Sequence, residues 1–324
     1  MSENNYMPFR GLDSDFMREL LHGQLNPILQ FEKKRRRYFM VEIRDNFLNL
    51  YFLGHGIAVK RRKKSEFYLT GSAAFNPADN LSDDLKEIVK IRGNERERWE
   101  ISFDDIKNKS SDTFDEILTK ILLKIVEHRK GDISEGVSEV NHFIDNRAIG
   151  KNGILIIDRQ VVYPKTREGR IDLLGLKRLT NGKFTFVVLE LKNKNNREIG
   201  YVFTNQVKPY IDTVYNHYEH FRVTYEKVIK QKIKLGLLRR ISCEIASNEE
   251  ISKKDIQGIV ILDNYNIKSD LKDNGLLHRA LDDWAKLGDD YTAQLFLKTN
   301  VLDSTFFMDY GESKNLLENF ERNN

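Results

Sequence analysis

Apolar and polar positions alternate along the chain in two styles. Between residues 38 and 70 the segments YFMVEIR, FLNLYFL and IAVKRR are rich in aromatic and branched side chains. Asp45-Asn46 and Gly54-His55-Gly56 interrupt them. Short runs of this kind, bounded by turn formers, predict a β-meander. Residues 79–112 are acidic, polar and without period, and read as a domain junction, with GNERERWE as a solvated charge run. Helical spacing then takes over: Phe114, Ile117, Leu118, Ile121, Leu122 and Ile125 form one stripe, with Asp112 as N-cap and Gly131 as the stop. That stripe reads as core packing. A second helix is expected from Asp132, with Ile133, Val137, Val140 and Ile144 on one side and Glu135 and Glu139 sharing a face. Then follow a strand in GILIIDRQVVYP, a hairpin within Gly169–Asn196, helical stretches in TNQVKPYIDTVYNHYEHF and KVIKQKIKLGLLRR, and a strand in GIVIL. A helix near LLHRALDDWAKL and a strand near AQLFLKT complete the pattern. From Asp132 the order is α-β-β-β-α-β, a mixed sheet flanked by helices.

The hairpin carries charge where apolar side chains would pack better. Its loop, Thr180-Asn181-Gly182, suits a type I turn followed by a left-handed glycine, which pairs Leu179 with Lys183. Counting outward, Asp172 falls opposite Glu190, and Lys192, two residues further on, leaves the same face. A two-residue Asn-Gly loop would shift the register by one and separate the acids. Two carboxylates side by side in an apolar sheet repel each other and are costly to bury. A hard divalent cation such as Mg²⁺, bound by oxygen ligands and completed by substrate phosphate, resolves both problems. A lysine beside it can hold the attacking water or stabilise developing charge. The structural alternative is a buried Lys–Glu ion pair with Asp172 capping a strand end.

Asp172 followed by Glu190-Leu191-Lys192 at the end of an apolar strand resembles the D…(D/E)-x-K signature of the PD-(D/E)XK nuclease superfamily. Gln206 and Tyr210, within Gln-Val-Lys-Pro-Tyr, resemble the Q-x-x-x-Y element of its RecB-type branch. The resemblance spans roughly residues 132–265. It implies an α/β fold with a restriction-endonuclease-like core at about residues 132–265, in a domain of residues 113–324 that ends in an α/β extension; the β-rich domain of residues 1–112 lies outside the resemblance and is expected to serve substrate or partner selection. It implies a Mg²⁺-dependent nuclease, with Mn²⁺ able to substitute, that hydrolyses phosphodiester bonds, in DNA for most of the family with RNA left open, in restriction, repair or defence. Asp172, Glu190 and the carbonyl of Leu191 would ligate the metal, and Lys192 would position the water. A helix glutamate commonly joins them. Glu135 stands three residues after Asp132, at capping-box spacing, so Glu139 is the preferred ligand. Gln206 would touch the scissile phosphate or a nearby base, supported by Tyr210. Two positions depart from the pattern: Ile171 stands where proline often precedes the aspartate, and Pro209 interrupts the Q-x-x-x-Y element and could start a fresh helix. The runner-up reading is a catalytically silent nucleic-acid-binding or assembly module on the same fold.

Composition adjusts this picture modestly. The 324 residues suffice for one large or two ordinary domains, and 40% hydrophobic with 31% charged residues describes a folded globular chain. Lysine and arginine number 53 against 49 acids, a net +4, so nucleic-acid affinity must come from local clusters. Two basic runs flank the meander, Lys33–Arg37 and Lys60–Lys64. Its first and third strands run parallel, which sets the runs ~20 Å apart at ~3.3 Å per residue. Lys60, Arg61, Arg62 and Lys63 are therefore expected substrate contacts. Cys243 is the only cysteine, which excludes a disulfide framework and a cysteine zinc site. His217 and His220 read as a surface pair. There is no Walker A sequence for ATP. The N-terminus has no apolar core and no run reaches the ~18 apolar residues of a membrane span, so a cytoplasmic protein is expected. A homodimer or a regulatory partner protein is left open.

Overall fold

The computed structural model describes residues 8–36, 39–52, 55–92, 98–109, 113–128, 154–164, 169–193, 196–238, 251–263, 275–288, 290–298 and 306–308. The helix expected from Asp132, with Glu135 and Glu139, lies outside them, as do Asp112 and Gly131. The chain forms two compact units. One comprises Pro8–Val140 with Lys227–Arg239, and the other Asn141–Glu226 with Met1–Met7 and Arg240–Asn324.

The first unit opens with helices α1 (Ser14–His22) and α2 (Asn26–Arg35). Asp13 caps α1 by accepting from the Phe16 amide, and Phe16, Met17 and Leu20 form its buried stripe. Six antiparallel strands follow, β1 (Phe39–Ile43), β2 (Leu48–Phe52), β3 (His55–Lys63), β4 (Glu66–Ser72), β5 (Lys90–Arg92) and β6 (Arg98–Ser102), in the order β1-β2-β3-β4-β6-β5. Short helices α3 (Asp83–Lys86) and α4 (Phe103–Lys107) and the long α5 (Thr113–His128) complete this part of the chain. The expected boundary at residue 112 falls inside the unit, since Phe114 of α5 packs on Phe103 with ring centroids 5.7 Å apart.

Two expectations are corrected here. The stretch read as a junction supplies β5 and β6, because Trp99 and Ile101 alternate inward and are fully buried beneath charged neighbours. The first basic run is not a strand end. Lys33, Lys34 and Arg35 belong to α2, where Lys34 pairs with Asp115 at 3.0 Å, and Arg36 just after it pairs with Glu32 at 3.2 Å.

The second unit holds a six-stranded mixed sheet of β7 (Ile154–Val161), β8 (Ile171–Arg178), β9 (Phe184–Asn193), β10 (Ile251–Asp263), β11 (Thr292–Lys298) and β12 (Phe306–Met308), ordered β12-β11-β10-β9-β8-β7. β9, β10 and β11 are mutually parallel, and the remaining pairs are antiparallel. Parallel strands need a crossover, and helices α6 (Lys208–Asn216) and α7 (Tyr218–Lys234) stand between β9 and β10. α8 (Leu276–Trp284) stands between β10 and β11. Phe221 and Tyr225 of α7 meet Phe186 of β9 edge-on at about 6.1 Å. The Tyr225 hydroxyl donates to the buried Asp158 at 2.8 Å. The α/β class is as expected, and the sheet's central strands are the apolar runs the sequence singled out.

Candidate active site

The β8–β9 turn sets the geometry of everything that follows. The Leu179 amide donates to the Lys183 carbonyl at 2.7 Å, the Gly182 amide returns to the Leu179 carbonyl at 3.0 Å, and Gly182 has φ +82°. This is a three-residue loop with its glycine left-handed. The ladder runs outward from Arg178 opposite Phe184 to Leu173 opposite Leu189, which puts Asp172 and Glu190 in the next position on their strands. There the Leu191 amide donates to Asp172 Oδ2 at 3.1 Å, a side-chain carboxylate where a ladder would use a carbonyl.

Asp172, Glu190 and Lys192 are all buried. Lys192 Nζ donates to Glu190 Oε1 and to Glu198 Oε2, each at 2.9 Å. Glu198 sits on a 3₁₀ turn, Arg197–Tyr201, capped by Asn196, whose Oδ1 accepts from the Glu198 amide at 2.9 Å. The Lys192 ammonium, through its hydrogen bond and its charge, holds the Glu198 carboxyl below the ordinary glutamate range, with help from Gln206 and Asn196. Gln206 Nε2 donates to Glu198 Oε2 at 3.2 Å.

Gln206 occupies a π-helical turn, Phe203–Val207, that runs directly into α6, and Pro209 takes a first-turn position of that helix. Pro209 thus starts a helix without removing Gln206 from the cluster. Asp283 of α8, fully buried, fixes the turn by accepting from the Phe203 amide at 2.6 Å, the Thr204 amide at 3.2 Å and the Thr204 hydroxyl at 2.7 Å. Gly258 on β10 lets the turn approach the sheet, since a Cβ there would meet Val207 Cγ1 at 2.1 Å. Tyr210 is buried on α6, and its hydroxyl lies where a Cβ on Gly169 would come within 2.7 Å. Burial, with the Glu190 and Asp172 charges adding to it, pushes the Tyr210 phenol above its ordinary range. It stays protonated and can only be a neutral neighbour of the acids.

The structure therefore brings Asp172, Glu190, Lys192, Gln206 and Tyr210 together, with Leu191 between the two charged positions of β9. Three contributors escaped the sequence reading. Glu198 lies in a polar stretch with no period, Asp283 in a helix whose acids look solvated, and Gly258 shows only as one small residue in an apolar strand. Glu139 and Glu135 fall outside the described residues, and among those described no group of three His, Cys, Asp or Glu side chains is arranged to hold a metal.

The basic run of β3 belongs to the other unit and is mostly engaged. Arg61 pairs with Asp13, and Arg62 pairs with Glu66 and Glu100 while covering the Tyr68 ring. Lys60 lies over the Phe47 ring at 5.6 Å, and Lys63 is exposed. His217 and His220 are not a surface pair. His217 stacks on Tyr163 at 4.5 Å, and the buried His220 Nδ1 lies 2.9 Å from the Tyr163 hydroxyl.

No family model matches this chain, and none of the curated proteins does. One solved structure, a complex of EndoMS with double-stranded DNA, aligns with 12% identity over 78% of this chain and 87% of that one, at a TM-score of 0.20. At that score the likeness carries no argument, and a functional reading has to stand on the site. Across the described residues no helix is long and apolar enough to cross a membrane.

Proposed function

We propose that this chain is a metal-dependent nuclease acting on DNA in preference to RNA, with its centre at Asp172, Glu190 and Lys192. One observation carries the reading. Two buried carboxylates and a buried ammonium stand at the same end of the adjacent strands β8 and β9, whose other buried side chains are apolar apart from Thr185. Burying charge is costly unless something is gained.

The donors suit Mg²⁺, which is commonly held by one or two carboxylates plus substrate phosphate. Asp172, Glu190 and the Leu191 carbonyl would hold it, with Glu139 of the preceding segment as the proposed fourth donor. Mg²⁺ when bound supplies charge to a phosphodiester oxygen and lowers the pKa of a water. The protein's own groups do the rest. Glu198 gives the Lys192 ammonium a second carboxylate, so Glu190 can serve a cation without stranding a buried charge. Lys192 is then placed to donate to the attacking water or to developing phosphoryl charge. The turn held by Asp283 fixes Gln206 beside them. Lys60 and Lys63, which have no carboxylate partner among the described residues, are the proposed phosphate contacts of the β3 run.

Supercoiled, linear and single-stranded DNA, and RNA, incubated with Mg²⁺, with Mn²⁺ or with EDTA, test the reading. Cleavage that requires the metal is the expected result, and full activity in EDTA would overturn it. The second reading, a silent binding or assembly module, has its own support. Lys192 already closes on Glu190, and Asp172 already accepts from the Leu191 amide, so both carboxylates have partners without a metal. Nucleic-acid binding without Mn²⁺ uptake in calorimetry and without cleavage would favour it.

A further inference from the structure

The 3₁₀ turn that delivers Glu198 also presents an aromatic ring. Side chains three apart in a 3₁₀ helix eclipse, so Tyr201 stands in line with Glu198, roughly 6 Å along the axis at ~2 Å per residue. Glu198 reaches to Lys192 and Gln206 with its side chain still 44% exposed, and Tyr201 beside it is 43% exposed. The backbone beneath it is fixed. Ile199 and Val202 are fully buried on either side, and Asp283 ties down the two residues that follow Val202. Tyr215, another exposed tyrosine of this unit, is covered by the Lys253 ammonium at 4.1 Å. The Tyr201 side chain has no hydrogen bond or ring contact among the described residues.

Gln206 adds a second, independent observation. Its neighbour Glu198 is an acceptor only, so the amide must turn its NH₂ toward Glu198 and its carbonyl away. That carbonyl oxygen is buried and has no hydrogen-bond partner among the described residues. An acceptor cannot bind a phosphate oxygen. It can accept from the N–H of a base.

Resting on the nuclease reading above, we propose that Tyr201 stacks on an unpaired base next to the scissile phosphate while the Gln206 carbonyl accepts from a base N–H. The favoured substrate is then a single-stranded or frayed strand. In a closed duplex both faces of each base are already stacked, and the ring has nothing to cover. Exposed Arg197, at the start of the same turn, brings a cation suited to the adjoining phosphate.

Equilibrium binding in Ca²⁺, with a single-stranded oligonucleotide carrying one 2-aminopurine and with its blunt duplex, tests this on the full chain. Wild type should bind the single strand more tightly and quench the probe when it sits beside the cleaved bond. Tyr201→Ala should weaken single-strand binding about tenfold, abolish the quenching and leave duplex binding unchanged. Tyr201→Phe, which keeps the ring, should retain both. A Tyr201→Ala protein that melts like wild type, binds equally well and still quenches would overturn the stacking role while leaving the nuclease reading standing. A wild type that neither binds nor cuts any strand would overturn both, and the cleavage assay separates the two failures.

Discussion

Each unit buries a lysine against a glutamate, and the two arrangements differ in their balance. In the first, Lys232 of α7 donates to Glu42 of β1 at 2.7 Å, with both side chains almost wholly removed from solvent. In the second, Lys192 is shared by Glu190 and Glu198, with Asp172 alongside on β8, so three carboxylates accompany one ammonium. The first pair is a closed arrangement whose removal leaves a buried charge exposed to no solvent. The second has an open side: its outermost member, the Glu198 side chain, is 44% exposed, so a cation can reach it from water. A contact sealed from solvent reads as architecture; a cluster of acids with an open side reads as a place for something to bind.

Asp172→Asn gives the strongest test of that contrast. Asparagine keeps an acceptor for the Leu191 amide and removes only the charge, so cleavage should fall about a thousandfold or more, some 4 kcal/mol, with an unchanged or raised melting temperature. Single-turnover rates beside a thermal melt decide the matter, and a variant that unfolds would make this acid structural after all. Glu42→Ala should do the opposite. It removes the carboxylate to which the buried Lys232 ammonium donates and should cost about 3–5 kcal/mol in denaturant unfolding, while Glu42→Met with Lys232→Met together should recover much of that loss. Gly258→Ala comes next. Its methyl must displace Val207, at about 1–3 kcal/mol of overpacking, and the displaced turn should lower the cleavage rate in the fraction that remains folded.

Asp13→Asn is expected to have the smallest effect. Burial pushes the Asp13 carboxyl up, but the Arg61 guanidinium and the Phe16 amide outweigh it and hold the group below the ordinary aspartate range. A carboxyl lowered on folding contributes stability above its unfolded pKa and loses it as pH falls through the folded value. The variant should therefore lose under about 1 kcal/mol at neutral pH, the pair being partly exposed, and show a flatter decline between neutral and acid. Chemical unfolding at several pH values measures it.

The hairpin and the charges it brings together were legible because the cause is local. A loop of three residues and strict two-residue alternation leave a single register. The helices α6 and α7 were equally visible, in apolar spacing. What stayed hidden depends on contacts distant in sequence. Asp283 lies about eighty residues from the turn it fixes, and its helix reads as amphipathic with solvated acids. Glu198 sits amid Asn, Arg and Lys, where no period marks it. β6 was masked by surrounding charge, since only Trp99 and Ile101 turn inward. Lys33 and Lys34 could be assigned to a strand end because a run of like charges has no periodicity to contradict either geometry.

The turn at Gly182 acts on this protein as a phase setting. It lies eight residues from Glu190, some 26 Å along an extended strand at ~3.3 Å per residue. No side chain of the turn touches the acids. Yet a slip to a two-residue Asn181-Gly182 loop, pairing Thr180 with Lys183, would advance one strand by half a period and send Asp172 and Glu190 to opposite faces. A change that alters the pairing of Leu179 with Lys183 is thus constrained as strictly as a substitution in the cluster itself. Changes of residue type at Thr180 or Asn181 that preserve the count are not.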